Sequence, residues 1–501
     1  MTTRLNADYP KVVWRFDKLS RFFHVCPSPS FLDYKMRGFY SSKIYKILPV
    51  PLQNAFVSTK GLVYKTVRRG GGFHLFENEL AGNEKLSADE LISLQLKHLK
   101  HVLKRAYEQV PFYHTCFNEI GFSHNDLKHV HDIRKLPIID KNTVRNHFSQ
   151  FMAEDARHRH LVKGSTSGST GTPLSLYMDL KTIMNEYAFV LRQFRWAGFP
   201  KQGKIASFRG DMIVPRGQIG PPYWRYDALT KEMWFSSYDL SPHTAESYIA
   251  ALRKFDPDLI YAYPSSLFTL AQFMKHIGSR CILPSLCGIV TSSETLYRHQ
   301  RECIEQAFGR PIFDWYGLFE RVIFIGTCEF GSYHIFPDYG FTELIPTNGD
   351  SNDTQFELVG TGFINHVMPL IRYRTGDLVT LAKSTDCKCG RAFNRVNSIL
   401  GRIDDVVITG DGKAVGRLDH IFKGVEHIRL AQIVQENKGE VKILVVPESN
   451  YDLNDENMMT NNAVERLGKE ICLKIILVDN IPSSSNGKFK TVISCVANEK
   501  E

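Results

Sequence analysis

The chain reads as an α/β protein: a large N-terminal domain of β-sheets flanked by helices, then a small mobile α+β C-terminal domain. Three observations predict this. From about residue 120 to 400, short β-rich apolar runs alternate with helical patterns, as layered α/β cores require. The last hundred residues change character, with two strand-like runs, Ile428–Gln435 and Glu440–Pro447, around Asn437-Lys438-Gly439, a hairpin signal. Between strand-like and helical patterns in the first part lies Gly164-Ser-Thr-Ser-Gly-Ser-Thr-Gly-Thr-Pro173, a loop rich in bare N–H and O–H donors.

The elements follow in order. Residues 1–85 are mixed, with Trp14, a proline-punctuated stretch at Pro49–Pro51 and a basic hinge Arg68-Arg-Gly-Gly-Gly72. We read them as an extension packed on, or leading into, a core of residues 86–402. Ser87–Val110 is predicted as a helix: Ser87 and Glu90 fit a capping box, Leu91, Leu94, Leu99, Val102, Leu103 and Ala106 recur at helical spacing, and Pro111 ends it. Its other face carries Lys97, Lys100, Lys104 and Arg105, ordinarily a solvated face; a weak peripheral membrane contact is the sharper alternative. Leu174–Met178 is read as a strand and Leu180–Trp196 as a helix. Leu259–Tyr263 and Cys287–Thr291 are read as buried strands, the second followed by a helix from near Glu294. In residues 403–501 a polar stretch near 450–460 precedes a helix at Asn462–Ile471 and a strand at Leu473–Leu477. The aromatic group Tyr223, Trp224, Tyr226, Trp234, Phe235 and Tyr238 either packs a core or lines an aromatic-acid pocket, and packing is the commoner fate.

With 501 residues, 43% of them apolar, the chain can bury a large core. No apolar h-region opens it and no run approaches a membrane span, so a cytoplasmic protein, monomer or homodimer, is the expectation. Its net charge of +9 is spread without a basic tract or nucleic-acid module, which argues against nucleic acid and suits small polyanions. Ten cysteines at irregular spacing do not form a disulfide scaffold; Cys26, Cys116, Cys281 and Cys472 sit among apolar neighbours and read as core thiols. Cys328, His334, Cys387 and Cys389 stand apart. Three thiols and an imidazole in two short pairs suit tetrahedral Zn²⁺, although unrelated thiols remain the alternative.

The glycine loop can wrap phosphates, as glycine-rich anion sites do, but lacks the Gly-Lys-Ser/Thr of a Walker loop. Its cation must come from elsewhere, and Asn486-Gly-Lys488 offers one. In between fall Thr291-Ser-Ser-Glu294, Asp314-Trp-Tyr-Gly-Leu-Phe-Glu320, Tyr373-Arg-Thr-Gly-Asp377 and Gly401-Arg-Ile-Asp-Asp405. This ordered series resembles the adenylate-forming superfamily of acyl-CoA synthetases. It is most similar to the phenylacetate–CoA ligase and coenzyme F390 synthetase branch, including that branch's capsular-polysaccharide members. The resemblance covers roughly residues 85–495.

The resemblance implies ATP with Mg²⁺, a carboxylic acid and CoA as reactants. An acyl-adenylate forms with loss of pyrophosphate, and the acyl group then passes to CoA. It implies that Ser165, Thr166, Ser167, Gly168, Ser169, Thr170, Gly171 and Thr172 cradle phosphates, and that Glu320 holds Mg²⁺. By the same likeness, Tyr316 and Gly317 lie against adenine with Ser292, Ser293 and Glu294. Asp377 accepts from the ribose hydroxyls, Arg402 meets ribose or phosphate, and Lys488 bridges carboxylate and α-phosphate. Asp404 falls at the family's hinge, about which the small domain swings between two poses. Similar Cys/His sets in this branch are structural zinc sites. One departure stands out: Phe319 precedes Glu320 where the family has Thr or Ser, so a hydroxyl near the substrate carboxylate is missing. An amine acceptor in place of CoA (an amino sugar, polysaccharide or antibiotic precursor) is the alternative, with a non-catalytic nucleotide-binding relative behind it.

Overall fold

The computed structural model describes residues 43–158, 161–165, 174–211, 213–215, 218–347, 355–382, 384–402, 407–410, 414–415, 418–422, 425, 427–482 and 489–496. A twelve-stranded mixed sheet organises the large part. Its strands run, edge to edge, Gly340–Pro346, Gln355–Gly362, Tyr373–Leu381, Arg395–Arg402, Tyr333–Ile335, Phe324–Thr327, Ile312–Gly317, Gly288–Ser292, Leu259–Ala262, Ile205–Phe208, Glu232–Phe235 and Trp224–Asp227. Five of them, from Ile312–Gly317 through Glu232–Phe235, are mutually parallel. Leu259–Ala262 and Gly288–Ser292 are buried at every position, as strands covered on both faces should be. The expected α/β class holds, with strand ends shifted by a residue.

The helix Leu180–Trp196 packs across this sheet. Asp179 caps it, accepting from Thr182 N–H at 2.8 Å. Fully buried Arg192 makes two parallel bonds to Asp338, at 2.9 and 2.6 Å, and a third to the Leu80 carbonyl at 2.7 Å. One guanidinium thus ties the sheet, this helix and the helix Phe73–Asn83 together. The helix Ala88–Gln109 carries the expected capping box, with Ser87 Oγ accepting from Glu90 N–H and Glu90 accepting from Ser87 N–H. On its basic face Arg105 is not solvated: it pairs with Asp155 at 2.7 Å and donates to the His366 carbonyl.

The described part of the N-terminal extension is helical and docks on the sheet's edge. The helix Val50–Arg68 lies along the edge strand Trp224–Asp227; the N–H groups of Tyr226 and of Ala228, just past the strand, donate to Asn54 Oδ1 and Ser58 Oγ at 3.0 Å each. Side chains therefore cap an edge that would otherwise offer unpaired backbone. Gly61 permits the approach, because a Cβ there would lie 1.7 Å from Asp227 Oδ2. Of the expected hinge, Arg68 ends the helix Val50–Arg68 and residues 69–72 turn the chain, with Gly72 at φ 89° before the helix Phe73–Asn83.

The C-terminal part has its own four-stranded sheet, ordered Cys472–Leu477, Glu440–Pro447, Ile428–Gln435 and Val492–Ser494, over a separate apolar core. The Asn437–Gly439 hairpin is as expected. Three expectations need correction. The helix is Leu453–Leu467, not Asn462–Ile471: the polar stretch is its first half, held by Asp452, which accepts from Asn454 and Asp455 N–H. The helix after Glu294 begins only at Arg298, because Glu294 is committed to tertiary bonds and Ser293 has φ 72°. Cys472 is exposed on an edge strand and is no core thiol, whereas Cys281 is fully buried. Trp14 and Cys26 lie outside the described residues.

Removing Arg192 leaves Asp338 buried without its counter-charge. Arg192→Ala is expected to cost about 3–5 kcal/mol, read as a lower first urea-unfolding midpoint. Arg298→Ala, on an exposed helical ion pair, should leave that midpoint unchanged.

Candidate active site

Ligand crevices of open α/β sheets lie at the carboxyl ends of parallel strands. Here those ends carry Arg209, Tyr263, Ser292–Glu294, and Tyr316 with Gly317. The strand pairing sets Ser292 opposite Trp315, so the Ser-Ser-Glu and Trp-Tyr-Gly segments leave the sheet side by side. Below them, buried Asp314 accepts from Thr291 Oγ1 at 2.7 Å and Tyr333 OH at 2.8 Å. Burial pushes its carboxyl above the usual range, and those two hydroxyls work against the rise.

Tyr316 donates its hydroxyl to Asp377 Oδ2 at 2.6 Å, linking two predicted residues 61 positions apart. Burial first, and then the Asp377 charge, raise the Tyr316 phenol well above its ordinary value, so it stays a donor. Asp377 sits opposite Arg402 in the pair of strands Tyr373–Leu381 and Arg395–Arg402. Glu320 is buried and accepts from Tyr373 OH at 3.1 Å. The next residue, Arg321, has φ 59° and bonds Glu186 at 2.6 Å from the central helix. Ser293 and Arg321 thus hold left-handed backbone on either side of the crevice, the kind of strain that gathers at functional sites.

The glycine loop joins two short antiparallel strands, Leu161–Ser165 and Ser175–Asp179, paired to Ser165 opposite Ser175. At its foot Gly164 meets Phe319: a Cβ on Gly164 would come within 2.4 Å of the Phe319 ring. The departing aromatic therefore packs against Gly164, in the strand that leads into the loop. Thr166, Ser167, Gly168, Ser169, Thr170, Gly171, Thr172, Asp404 and Lys488 lie outside the described residues.

Glu294 joins the two parts of the chain. It accepts from Ser265 N–H and Oγ at 3.0 Å each, and from the backbone N–H of Phe489 at 3.0 Å. The residue that follows Lys488 is thus bonded to the Ser-Ser-Glu segment. Beside this contact a cavity of about 610 Å³ opens between the helices Pro264–His276 and Arg298–Phe308 and the C-terminal sheet, with Lys275, His276, His427 and Arg429 on its wall.

The sequence pattern overlooked Arg209, which donates to Ser293 Oγ at 3.2 Å and stacks on Tyr261, its guanidinium carbon 4.2 Å from the ring centre. Its position one residue past a buried strand was the available signal. Tyr373, although inside a quoted motif, was also missed as the partner of Glu320. The aromatic group at 223–238 is mainly core: Tyr223 stacks on Tyr248 and Phe235 on Phe208.

On the far side of the strand Tyr333–Ile335, the ligand atoms of Cys328, His334, Cys387 and Cys389 all lie within 4.8 Å of one another. His334 Nδ1 bonds the Phe393 carbonyl at 3.2 Å, leaving Nε2 toward the thiols, 3.4 Å from Cys389 Sγ. Burial lowers the imidazole to about 4, so it is neutral, as a ligand must be. Three thiols and a neutral imidazole, His334 from a strand and the cysteines from the segments beside it, fit one tetrahedral ion.

This is the fold of the adenylate-forming CoA ligases. A crystal structure of 2-hydroxyisobutyryl-CoA ligase in its postadenylation state, bound to R3-HIB-AMP, superposes with TM-score 0.64 at 19% identity, covering 82% of this chain and 91% of that one. Within that class the chain belongs to the phenylacetate–coenzyme A ligase family. It is 30% identical to the phenylacetate-coenzyme A ligase of Aromatoleum evansii over 333 residues, 65% of this chain and 73% of that one. It is also 25% identical to protein CapK of Staphylococcus aureus over 457 residues, 90% of this chain and 98% of CapK. Residues 407–495 match the CapK C-terminal domain.

If the Cys/His cluster holds zinc, the purified protein carries about one zinc per chain. Cys387→Ser then loses it and unfolds at lower temperature, since metal binding to a folded site is folding free energy. Elemental analysis with thermal melts checks both outcomes.

Proposed function

We propose that the protein is an AMP-forming acid–thiol ligase: it activates a carboxylic acid with ATP and Mg²⁺, releases pyrophosphate, and transfers the acyl group to CoA. The observation that carries this reading is the convergence of Tyr316–Asp377, Glu320 and Ser292–Glu294 at the strand ends, with the residue after Lys488 bonded to Glu294. Membership of the phenylacetate–coenzyme A ligase family supports it.

In this reading the Ser165–Thr172 loop holds the triphosphate, and Asp377 and Arg402 take the ribose. Tyr316 and Gly317 face adenine with Ser292 and Ser293. Glu320, a hard carboxylate, would hold Mg²⁺. Lys488 supplies a point charge where negative charge gathers on the α-phosphate. The Tyr316–Asp377 bond fixes the acceptor carboxylate before nucleotide arrives, which lowers the ordering cost of binding. Phe319 replaces a hydroxyl beside the acid, so the acid is oriented without that donor and an aromatic face borders its pocket. Residues 403–501 form the mobile unit, turning about Asp404 to withdraw Lys488 before thioester formation. Lys275 and Arg429, on the wall of the 610 Å³ cavity beside Glu302 and Glu448, could meet the phosphates of CoA. Zinc, bound by four protein ligands, would be structural.

Pyrophosphate release is to be measured from ATP and Mg²⁺ across a panel of carboxylic acids, with and without CoA. Multiple turnover that requires CoA is the expected result. Release that is indifferent to CoA but trapped by hydroxylamine sends the search to amine acceptors, and silence with measurable ATP binding indicates a non-catalytic relative. Lys488→Ala is expected to lower adenylate formation at least about 100-fold, the scale of one lost electrostatic contact to the transition state, while thioester formation from supplied acyl-adenylate survives. Equal loss of both halves rejects the two-pose scheme.

A further inference from the structure

A second cavity, of about 260 Å³, lies at the opposite, amino-terminal end of the parallel strands, between the helix Val50–Arg68 and the sheet. The strand Ile205–Phe208 separates the two regions: Ile205 lines this cavity, and Arg209, just past the strand's other end, reaches Ser293. Five cationic side chains surround the cavity, Lys65, Arg68, Arg69, Lys201 and Lys231, against one carboxylate, Glu232. The two arginines are positioned by aromatic faces. Arg68 stacks on Tyr64 at 4.7 Å and on Tyr187 at 5.1 Å, and Arg69 approaches Tyr187 at 5.9 Å. No carboxylate within ion-pair distance of Arg68, Arg69 or Lys65 is found among the described residues.

Two further features mark a built pocket. Thr230 lines it, and its buried Oγ1 has no hydrogen-bond partner among the described residues. Lys231 holds a left-handed backbone, φ 57°, that sets it at the rim, where Nζ bonds the Gln202 carbonyl at 3.3 Å. Phe199 supplies an apolar wall that depends on Gly203, since a Cβ there would lie 2.5 Å from its ring. Burial pushes Glu232 up to about 7, so near neutrality the single acid offers only part of a negative charge to the five cations.

We propose that this cavity binds a small phosphorylated molecule, its phosphate on Arg68 and Arg69 and its organic part against Phe199. A phosphate monoester matches the charge, carrying about −1.5 to −2 at neutral pH. Arginine forks bind it in bidentate fashion. At 260 Å³ the cavity falls just below the roughly 300–1,000 Å³ of drug-sized sites and exceeds what a bare anion needs. The site is formed only because the N-terminal helix covers the sheet edge.

The test is titration calorimetry of the full chain with phenyl phosphate, with phenol as the uncharged control. One-site binding of phenyl phosphate and none of phenol is expected, with Arg68→Ala/Arg69→Ala weakening it at least about tenfold, the equivalent of 1.4 kcal/mol. Should that double variant fail to fold by circular dichroism, Lys201→Ala, at an exposed position, is expected to weaken binding about threefold, a surface charge being worth less. Absence of binding to the wild type overturns the proposal. So does equal affinity in a folded variant, which would place the anion elsewhere on the protein, or equal binding of phenol, which would make the cavity merely apolar.

Discussion

The helix Leu180–Trp196 carries buried charge of both signs, and the surroundings of the candidate site hang on how each is satisfied. Arg192 is neutralised by Asp338 and holds the Leu80 carbonyl. One turn and a half earlier, Glu186 accepts from Arg321 and from Tyr339 OH, at 2.6 and 2.5 Å. A buried ion left alone costs several kcal/mol, so neither can move without its partner. Arg321 is thereby fixed in a left-handed conformation, which turns the preceding Glu320 to Tyr373. A further turn on, Trp196 stacks against Arg391, which is paired with Glu84 and Glu329 beside the Cys/His cluster. The same helix thus positions the candidate magnesium ligand at one end and braces the candidate zinc cluster at the other.

Such long-range pairings explain what could be read in advance. The helix Ala88–Gln109 and the hairpin around Asn437–Gly439 were legible because their signals are local: a capping box, a period, a turn. The helix Leu453–Leu467 was missed at its start because its first turn, Leu-Asn-Asp-Glu, is mostly polar, and the Asp452 cap is what sets it apart from a loop. Cys472 misled for the opposite reason: apolar neighbours in sequence alternate on a strand that lies at a sheet edge. In the candidate site, motif order singled out Tyr316, Asp377, Glu294 and Glu320, and the fold brings them to the same strand ends. Arg209 meets Ser293 and Tyr373 meets Glu320 by tertiary contact: one stands a residue past a buried strand and the other opens a quoted motif, and neither signal names its partner.

The contact between Glu294 and Phe489 sets the energetic scale for the proposed movement of the small domain. A hydrogen bond to a charged acceptor is worth about 1.5–3 kcal/mol net. Gln272, donating to the Ile428 carbonyl at 3.1 Å, adds a second polar contact across the same boundary. Meanwhile the C-terminal sheet keeps its own apolar core, built of residues from within that unit. A few polar bonds between two independently packed cores give an interface that substrate or product binding can outweigh, since a ligand shifts such an equilibrium by its differential affinity.

The phosphate pocket proposed at the amino-terminal strand ends obeys a different constraint. It meets the sheet at Ile205, which opens the strand Ile205–Phe208; that strand is hydrogen-bonded to parallel neighbours on both sides, and the next, Leu259–Ala262, is buried throughout. A strand so enclosed has one arrangement, and coupling between sites requires an element with two. A ligand there would therefore stabilise the docked N-terminal helix, by the mass-action term that rewards any ligand of the folded state, without altering the crevice some four residues away. The element free to respond is the helix Val50–Arg68, held to the sheet edge by Asn54, Ser58 and the close fit of Gly61 on Asp227. The buried Gln53–Arg225 bond and the packing of Val57 with Tyr45, Ile213 and Val214 add to those contacts, so charge at Arg68 and Arg69 acts on one end of a larger interface.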